Sequence, residues 1–350
     1  MLTPLDKLRE LFREWSGLKA RAILPLPQSG SARKYYRISD GRQTAIGVYH
    51  TDRKENRAFV YFARHFRSAS IPVPEIYSDD PDNNVYLQED LGDTMLFDLC
   101  EKESDPGIEA MIINCLEQSV SWLVRLQVDG HQGLDYSIAT PRQSFDKQSM
   151  MWDLNYFKYH FIKLAGINFD EQKLEDDFES LAAYLSSAPR DFFMFRDFQS
   201  RNIMVRDSKV WFIDFQGGRM GYPAYDLASL LFDAKAGFSP GLRENIKGIY
   251  LDEISGTGKI NPEVFNDYYP GFVLIRKMQA MGAFGFRGLI ERKAHFLQSI
   301  PPAMKNLEWI IENYRPGPDI PELWRILSIL PGSTFTKRVE EQIEELDFNN

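Results

Sequence analysis

The stretch FFMFRDFQSRNIMVRDSKVWFIDFQ, residues 192–216, contains two short apolar runs separated by a polar link. The first run is residues 203–205 and the second is residues 210–213, with four polar residues between them. Two such runs joined by turn-forming residues predict an antiparallel hairpin. Asn202, which precedes the first strand, should then lie opposite Asp214, which follows the second, with their Cβ atoms roughly 4.5–5.5 Å apart.

The polar side chains at the end of this hairpin suit metal-dependent transfer of a phosphoryl group. An amide oxygen and a carboxylate are ligands that Mg²⁺, a hard cation, prefers. Asp197, five residues before Asn202, would face the same place and could orient and deprotonate a hydroxyl group. The pattern follows the protein-kinase sequence H-R-D-L-x-x-x-N and D-F-G, here F-R-D-F-Q-S-R-N at 195–202 and D-F-Q at 214–216. The alternative is a buried hairpin whose polar residues only cap turns.

Length, charge and cysteine content exclude several classes of protein. The 350 residues have room for one large domain or two modest ones. With 41 basic and 50 acidic residues, the net charge of −9 disfavours a general binder of nucleic acid or anionic membranes. The only cysteines, Cys100 and Cys115, have no disulfide or metal spacing, and no apolar run approaches the roughly 20 residues of a membrane span. We expect a cytoplasmic protein, a monomer or weak dimer, that binds neither nucleic acid nor membrane.

The first ninety residues have the alternating pattern of a sheet with helices. Strands are expected at residues 22–26, 35–38, 43–50, 75–77 and 85–89, and helices at residues 4–16 and 55–66. Thr3 is the expected cap of the first helix and Pro4 its first residue.

After residue 94 the periodicity is mostly helical. Helices are expected at residues 106–128, 142–165, 171–186, 224–231 and 322–330, with two or three more between 262 and 315. The acidic tail, residues 336–350, is either a linker or a frayed helix. These patterns predict a two-lobed α+β protein with a small antiparallel N-terminal lobe, residues 1–91, and a larger helical C-terminal lobe, residues 92–335.

Two segments of the N-terminal lobe could contact a nucleotide. The turn at residues 28–34 could bring backbone N–H groups to phosphates or be an ordinary hairpin turn. Its candidates are Ser29, Gly30, Ser31, Arg33 and Lys34. Residues 88–92 could offer backbone groups to a purine edge or be a plain linker, and the candidates there are Gln88, Glu89 and Leu91.

Glu55 begins the second expected helix, and in kinases a helix glutamate pairs with a strand lysine that holds the α- and β-phosphates. The strand at residues 44–50 has no lysine. Candidates for the missing positive charge are Arg33, Lys34, Arg37 and Lys54. Glu55 could equally be an ordinary acidic residue favoured by the helix dipole.

Aromatic segments in the helical part could line the site of a sugar acceptor. The candidate acceptor residues are Arg201, Trp152, Asp153, Tyr156 and Arg276. The alternative is that these aromatic segments form the core between helices. Asp226 is expected to have a structural role, capping a helix or holding the loop around Asp197.

Three stretches resemble the aminoglycoside phosphotransferase and choline kinase superfamily of small-molecule kinases. They are F-R-D-F-Q-S-R-N-I-M-V at 195–205, W-F-I-D-F-Q at 211–216 and Y-P-A-Y-D-L-A-S-L-L at 222–231. Within it, the sequence most resembles bacterial N-acetylmuramate/N-acetylglucosamine anomeric kinases of cell-wall sugar recycling. This narrower resemblance rests on S-A-R-K-Y-Y-R at 31–37, I-P-V-P-E-I-Y at 71–77, R-D-F-Q-S-R-N at 196–202 and Q-A-M-G-A-F-G-F at 279–286.

The resemblance implies a protein-kinase-like fold and an ATP- and Mg²⁺-dependent kinase acting on a hydroxyl of an amino sugar. Asp197 would be the catalytic base, and Asn202 and Asp214 would bind Mg²⁺. Residues 28–34 would cover the phosphates and residues 88–91 would meet adenine.

The sequence departs from the family pattern at two places. Phe195 stands where a histidine is usual, and the strand lysine is missing, as in the resembling sugar kinases. A kinase for choline, an aminoglycoside or another small alcohol is one alternative. A catalytically silent nucleotide-binding scaffold is the other.

Overall fold

The structure, a computed structural model, describes residues 3–27, 32–102 and 106–348 and confirms the α+β class. The strands are β1 Ala22–Pro25, β2 Lys34–Ser39, β3 Thr44–Tyr49, β4 Ile76–Asp80, β5 Val85–Glu89, β6 Phe193–Met194, β7 Ile203–Arg206, β8 Lys209–Phe212 and β9 Arg219–Met220. The helices are α1 Pro4–Ser16, α2 Arg53–Ser68, α3 Leu96–Cys100, α4 Pro106–Val128, α5 Lys147–Phe157, α6 Lys163–Ala165, α7 Glu171–Ser186, α8 Ala224–Leu231, α9 Pro240–Gly256, α10 Pro262–Phe284, α11 Ala294–Leu297, α12 Ile300–Asn313, α13 Pro321–Ile329 and α14 Thr334–Phe348. Short 3₁₀ turns lie at Tyr136–Ile138 and Ser200–Asn202, and π-helices at Lys158–Ile162 and Gly285–Ile290.

The chain divides into two compact units, each formed from more than one segment. The first unit contains Met1–Gln143, Phe195–Asp197 and Arg201–Arg219. The second contains Ser144–Met194, Phe198–Ser200 and Met220–Asn350. The lobe boundaries placed at residues 91 and 335 from the sequence remain predictions.

The first unit is built on a five-stranded antiparallel sheet with the strand order β1-β2-β3-β5-β4. The expected strands are present, but β4 extends to Asp80, beyond the predicted end at residue 77. Asp79 and Asp80 pair with β5 after a register shift between Ile76 and Ser78. Pairing with β5 therefore overrides the low strand propensity of these aspartates.

Helix α1 covers one face of the sheet, as its apolar spacing predicts. Thr3 and Asp6 form a capping box at its start. Leu8 and Phe12 are fully buried against Ile38 of β2. Gly47 in β3 allows this close packing, because a Cβ there would lie 2.8 Å from Ile38 Cδ1 and 2.9 Å from Leu8 Cδ2.

Helix α2 begins two residues earlier than predicted, at Arg53. Asp52 caps it by accepting hydrogen bonds from the backbone N–H groups of Lys54 and Glu55, at 2.8 and 3.1 Å. The prediction began the helix at Glu55 because the apolar periodicity starts there, whereas the cap lies three residues earlier. This cap places Glu55 in the first helical turn.

The hairpin predicted from the apolar runs at residues 203–205 and 210–213 is β7 paired with β8, but its register differs from the prediction. Ile203 pairs with Phe212, so Asn202 lies opposite Ile213 and not opposite Asp214. The prediction set the ends of the two apolar runs opposite each other, although the first run has three residues and the second has four. The turn itself consists of two residues, Asp207 and Ser208, with φ of +52° and +59°. Positive φ at both positions is the signature of the tight turn that matches strand twist.

The second unit is almost entirely helical and contains the other discrepancies. The helix predicted from residue 142 begins at Lys147, after the cap Asp146, and includes a π-helical segment at Lys158–Ile162. Helix α9, Pro240–Gly256, was not predicted, although Ser239 and Pro240 form a helix-start signal and its buried apolar residues recur at helical spacing. The predicted 262–315 region contains α10, α11 and α12.

The tail predicted as a linker or a helix is helical, since α14 spans Thr334–Phe348. Phe335 and Val339 on this helix are buried, at 5% and 2% exposure. Across the described ranges, none of the helices is both long and apolar enough to cross a lipid bilayer.

Candidate active site

Asp197 and Asn202 are held together by a loop that closes on itself. The Asn202 side chain is nearly buried, and its Nδ2 donates a hydrogen bond of 2.8 Å to the carbonyl oxygen of Asp197. Because the amide nitrogen serves the loop, the amide oxygen is the atom that this side chain can offer to a cation. The carbonyl oxygen of Asn202 accepts from Ile213 N–H at 3.0 Å, which ties the loop to the residue before Asp214.

The direction of the Asp214 side chain is set by an unusual backbone conformation and not by the alternation of side chains along β8. Its φ is +70°, in the left-handed region that non-glycine residues rarely adopt. In a regular strand the side chains point alternately to the two faces of the hairpin. The left-handed conformation at Asp214 ends this alternation, so the hairpin register does not determine the direction of its side chain. Strain of this kind clusters at functional sites.

The Asp214 carboxylate lies among groups of both charges. Its Oδ1 accepts a hydrogen bond of 2.8 Å from Gln216 Nε2 and lies 4.0 Å from Arg33 NH1. Although 40% of the side chain is exposed, burial of the carboxylate raises its pKa. The hydrogen bond from Gln216 and the charge of Arg33 lower the pKa, while the charge of Asp197 raises it. A bound cation would favour the ionised form of this group.

Arg33 and Glu55 form an ion pair beside Asp214. Arg33 NH2 lies 3.3 Å from Glu55 Oε2, and the arginine side chain is 1% exposed. The guanidinium also lies over the ring of Phe59, 5.8 Å from its centroid. Of the predicted nucleotide-binding residues, these two are brought together with Asp214.

An aromatic stack supports Asp214 from the following residue. The ring of Phe215 stacks on Phe59 at 4.7 Å and meets Phe66 and Phe195 edge to face at 5.6 and 6.1 Å. Phe195 and Phe215 are fully buried. A histidine at position 195 would need a hydrogen-bond partner in this apolar stack, whereas phenylalanine needs none. The departure at Phe195 is therefore a change in packing.

The segment predicted to meet adenine is fixed by two arginines. Arg206 NH2 lies 2.9 Å from Glu89 Oε1, and its NH1 donates to the carbonyl oxygen of Asp90 at 3.2 Å. Arg37 binds the Asp90 carboxylate through Nε and NH2, at 2.8 and 3.0 Å. Glu89 N–H donates to Glu75 O at 2.8 Å. These hydrogen bonds use the N–H of Glu89 and the carbonyl oxygen of Asp90.

The remaining nucleotide candidates differ in accessibility. Gln88 and Leu91 are 7% and 5% exposed, and Lys34 is exposed at the start of β2. Ser29, Gly30 and Ser31 lie outside the described residues.

The predicted acceptor residues fall in both units. Arg201 belongs to the first unit, where its guanidinium lies 5.5 Å from the ring centroid of Phe97. The other four belong to the second unit. Trp152 is 46% exposed and Asp153 is 7% exposed. Arg276 is nearly buried, and its Nε donates to Ser229 Oγ at 2.9 Å, so that it cross-links α10 and α8.

Tyr156 lies in an aromatic cluster where the two π-helices meet. Its ring is 4.8 Å from His160 and 6.3 Å from Phe286, and His160 and Phe286 are 5.0 Å apart. A Cβ on Gly285 would overlap the carbonyl oxygen of His160, so only glycine permits this contact. Burial raises the pKa of Tyr156. π-Helical turns are frequent at functional sites, and this cluster includes Tyr156, one of the candidate acceptor residues.

Two residues that contact the loop were not identified from the sequence. Asp233 Oδ2 accepts hydrogen bonds from Ser200 N–H at 3.2 Å and from Ser200 Oγ at 2.6 Å. Gln216 donates to Asp214. Asp233 follows α8 without a distinctive motif, while Gln216 replaces the glycine of D-F-G and could have been noticed. Asp226 is fully buried on α8, and its predicted structural role remains a prediction.

The donor atoms present fit a hard cation. Among the described residues, no three histidine, cysteine, aspartate or glutamate side chains cluster as a metal site. A cation would therefore depend on the mixed amide and carboxylate oxygens of Asn202 and Asp214, completed by ligand phosphate or water. Few protein ligands and several from the substrate are the usual arrangement for Mg²⁺.

An antiparallel sheet followed by a mostly helical remainder, with this loop and hairpin, defines a kinase-like phosphotransferase. The chain belongs to the phosphotransferase enzyme family abbreviated APH, whose family model matches residues 22–260. It is a small-molecule kinase, an enzyme that transfers phosphoryl groups to hydroxyl acceptors.

Relatives with similar sequences extend over most of the chain. An N-acetylmuramate/N-acetylglucosamine kinase of Pseudomonas aeruginosa is 23% identical over 339 residues, covering 93% of this chain and 94% of the relative. A protein of the same name from Neisseria meningitidis is 23% identical over 292 residues, covering 81% and 83%.

Solved structures show the same fold at low sequence identity. The Plasmodium vivax ethanolamine kinase has a TM-score of 0.58 at 14% identity, covering 83% of this chain and 82% of its own. The aminoglycoside phosphotransferase APH(2'')-Ib with ADP bound has a TM-score of 0.56 at 15% identity, covering 84% and 97%.

Proposed function

We propose that this protein is an ATP- and Mg²⁺-dependent kinase that phosphorylates the anomeric hydroxyl of N-acetylmuramate or N-acetylglucosamine in the cytoplasm, as part of cell-wall sugar recycling. The reaction class is supported by one observation above all: Asp197, Asn202 and Asp214 meet at one loop and hairpin end. The amino-sugar acceptor is supported by relatives of that name that match 93% and 81% of the chain.

Asp197 would orient the acceptor hydroxyl and accept its proton as the hydroxyl oxygen attacks the γ-phosphorus of ATP. The bond from that phosphorus to the β–γ bridging oxygen breaks, and ADP leaves. Its carbonyl oxygen is bound by Asn202, so the base and the metal ligand share one rigid loop. Positioning of this kind can supply a large part of the rate enhancement of a transfer reaction.

Asn202 and Asp214 would hold Mg²⁺ through oxygen atoms. The metal would neutralise negative charge on the phosphate oxygens as the phosphoryl group is transferred. Gln216 would keep Asp214 in orientation through its 2.8 Å hydrogen bond.

A product assay tests this proposal. The protein is incubated with ATP, Mg²⁺ and N-acetylmuramate or N-acetylglucosamine, and the products are measured by mass spectrometry, with choline and an aminoglycoside as competing acceptors. We expect a phosphorylated sugar that has lost its reducing end, because an anomeric phosphate blocks ring opening.

Other products would change the proposal in defined ways. A phosphorylated sugar that still reduces would move the reaction to another hydroxyl. Phosphorylation of choline or the aminoglycoside alone would replace the acceptor. Binding of ATP without ADP formation on any acceptor would favour the silent nucleotide-binding scaffold.

A further inference from the structure

The missing strand lysine leaves open which cation binds the nucleotide phosphates, and the structure separates the candidates. Arg37 is engaged by the Asp90 carboxylate and by Asp93. Lys34 and Lys54 have exposed side chains at the starts of β2 and α2. Arg33 alone among the four is both buried and paired with Glu55.

Arg33 lies behind two carboxylates that reach solvent. Its own side chain is 1% exposed, whereas those of Glu55 and Asp214 are 39% and 40% exposed. Its NH2 faces Glu55 at 3.3 Å and its NH1 faces Asp214 at 4.0 Å. One cation thus spans the helix glutamate and the carboxylate that ends the hairpin.

This placement follows from the register of the sheet. Lys34, the first residue of β2, pairs with Tyr49, the last residue of β3. Arg33 therefore enters beside His50, and His50 Nδ1 is itself 3.6 Å from Glu55 Oε2. The long side chain of Arg33, just before β2, can therefore reach Glu55 on α2. In kinases that have the strand lysine, the lysine on the neighbouring strand pairs with this glutamate.

The geometry points to Arg33 as the residue that binds the nucleotide phosphates in place of the strand lysine. Its NH2 would stay on Glu55, while its NH1, which faces Asp214 at 4.0 Å in this structure, would turn to a phosphate oxygen when nucleotide binds. This role rests on the proposed kinase function and names the residue that contacts the phosphates. The guanidinium suits it because its N–H donors point in fixed directions, so that two anions can be bound at once.

A purely structural role for Arg33 makes a different prediction. A buried guanidinium that only balances Glu55 and Asp214 would affect folding, and its loss would weaken binding of every part of the nucleotide equally. A phosphate-binding residue affects only ligands that carry phosphate.

Calorimetric titration of the full-length protein separates the two roles. ADP and adenosine are titrated in EDTA, so that metal binding at Asp214 does not contribute. For Arg33→Gln we expect ADP to bind about 10- to 100-fold more weakly, as for loss of a charge-assisted hydrogen bond, with adenosine unchanged. Arg33→Lys should be intermediate, since it keeps the charge but loses the forked pair of N–H donors of the guanidinium.

The matched control is Arg42→Gln, which removes an exposed arginine from the turn between β2 and β3 and should leave ADP affinity unchanged. Wild-type ADP affinity in Arg33→Gln, or an equal loss of adenosine and ADP, would overturn the assignment. Where circular dichroism shows Arg33→Gln to be unfolded, Arg33→Lys decides: selective loss of ADP supports the role and wild-type affinity overturns it. Failure of the wild-type protein to bind ADP even with Mg²⁺ present would overturn the proposed function and this role together.

Discussion

Asp197 is the residue whose loss should separate chemistry from binding. In the proposed reaction its carboxylate is the base, and its backbone carbonyl is held by Asn202. Asp197→Asn keeps the size and shape of the side chain but removes the base. We expect kcat to fall by about 100- to 10,000-fold, the usual range for loss of a general base, while ATP affinity is retained. Steady-state kinetics and calorimetry on the same preparation measure both quantities.

Asp191→Asn is the control for this substitution, because Asp191 is exposed and precedes the loop. Turnover of Asp197→Asn comparable with that control would remove Asp197 from the reaction.

Ser200 and Asp233 should act on the rate through the position of the loop. Asp233 accepts hydrogen bonds from both the N–H and the hydroxyl of Ser200. Ser200 lies three residues after Asp197 in the chain. Asp233→Asn weakens one of these bonds, and we expect kcat to fall by about 10- to 100-fold because small displacements of a catalytic group are costly. The KM for ATP should change little. Ser200→Thr, which keeps the hydroxyl, should retain more activity than Ser200→Ala.

An unchanged kcat in Asp233→Asn would show that the backbone alone positions the loop. A rise in KM with constant kcat would instead assign Asp233 to binding.

At the residue scale, the sequence identified side chains by type and spacing but not their partners. Asp197, Asn202 and Asp214 lie within one short stretch, so local patterns were sufficient to select them. Asp233 is 33 residues from Ser200, and only the tertiary fold brings them together. Arg33 was one of four equivalent cations in the sequence, because ion pairing across the sheet and α2 is not a local property.

At the scale of elements, Gly47 determines how closely α1 packs on the sheet. A methyl group at this position would lie within 3 Å of fully buried side chains of Ile38 and Leu8. We expect Gly47→Ala to lower the free energy of unfolding by about 1–3 kcal/mol, as for other overpacked cores. Urea denaturation followed by circular dichroism measures the change.

Gly248→Ala is the matched control, since Gly248 lies inside α9 and no atom approaches the position of its missing Cβ. Alanine there should stabilise the protein by about 0.5–1 kcal/mol, because glycine is unfavourable inside helices. Destabilisation by both substitutions would show that close packing at Gly47 is not the cause.

Elements with strong local signals were predicted well, and those set by partners were not. Thr3, Pro4 and the apolar spacing of α1 gave its bounds from the sequence. The hairpin was predicted, but Asp214 was placed opposite Asn202 where Ile213 lies, because apolar runs of three and four residues were assumed to end opposite each other. Such a slip reverses the face of every side chain that follows.

At the scale of the whole molecule, Lys277 should make stability depend on pH. It is 3% exposed on α10, and its Nζ donates to Phe232 O at 3.3 Å. Its pKa is lowered to about 7, mainly by burial; the charge of Asp233 opposes this shift, and the charges of Arg243 and Arg276 add to it. Between about pH 7 and pH 10 the unfolded chain keeps a proton that the folded chain releases, so the free energy of unfolding should rise with pH.

Lys277→Met tests this dependence. The difference in unfolding free energy between variant and wild type should shrink by about 1–3 kcal/mol from pH 6 to pH 9, with the variant more stable at pH 6. Lys259→Met, at an exposed lysine, should show a constant difference. A constant difference for Lys277→Met as well would mean that Lys277 titrates normally.

The order of elements was sufficient to predict the fold class, since strands come first and helices follow. The membership of the two compact units was not predictable, because residues 195–197 and 201–219 join the sheet-bearing unit from the middle of the helical part. Such proximity depends on hydrogen bonds between residues far apart in the sequence, such as the bond of 2.8 Å that Val205 N–H donates to Thr94 O.

The two π-helices that meet at Gly285 and His160 have a consequence for how the family can diverge. A π-helical turn holds one residue more than an α-helical turn, so each segment is equivalent to a one-residue insertion. Because the wider turn absorbs the extra residue, deleting it would restore an α-helical turn and remove the local widening without turning the following residues to another face. Since the two segments pack on each other, sequences that lose the extra residue in one are expected to lose it in the other, and alignments should place paired single-residue gaps there.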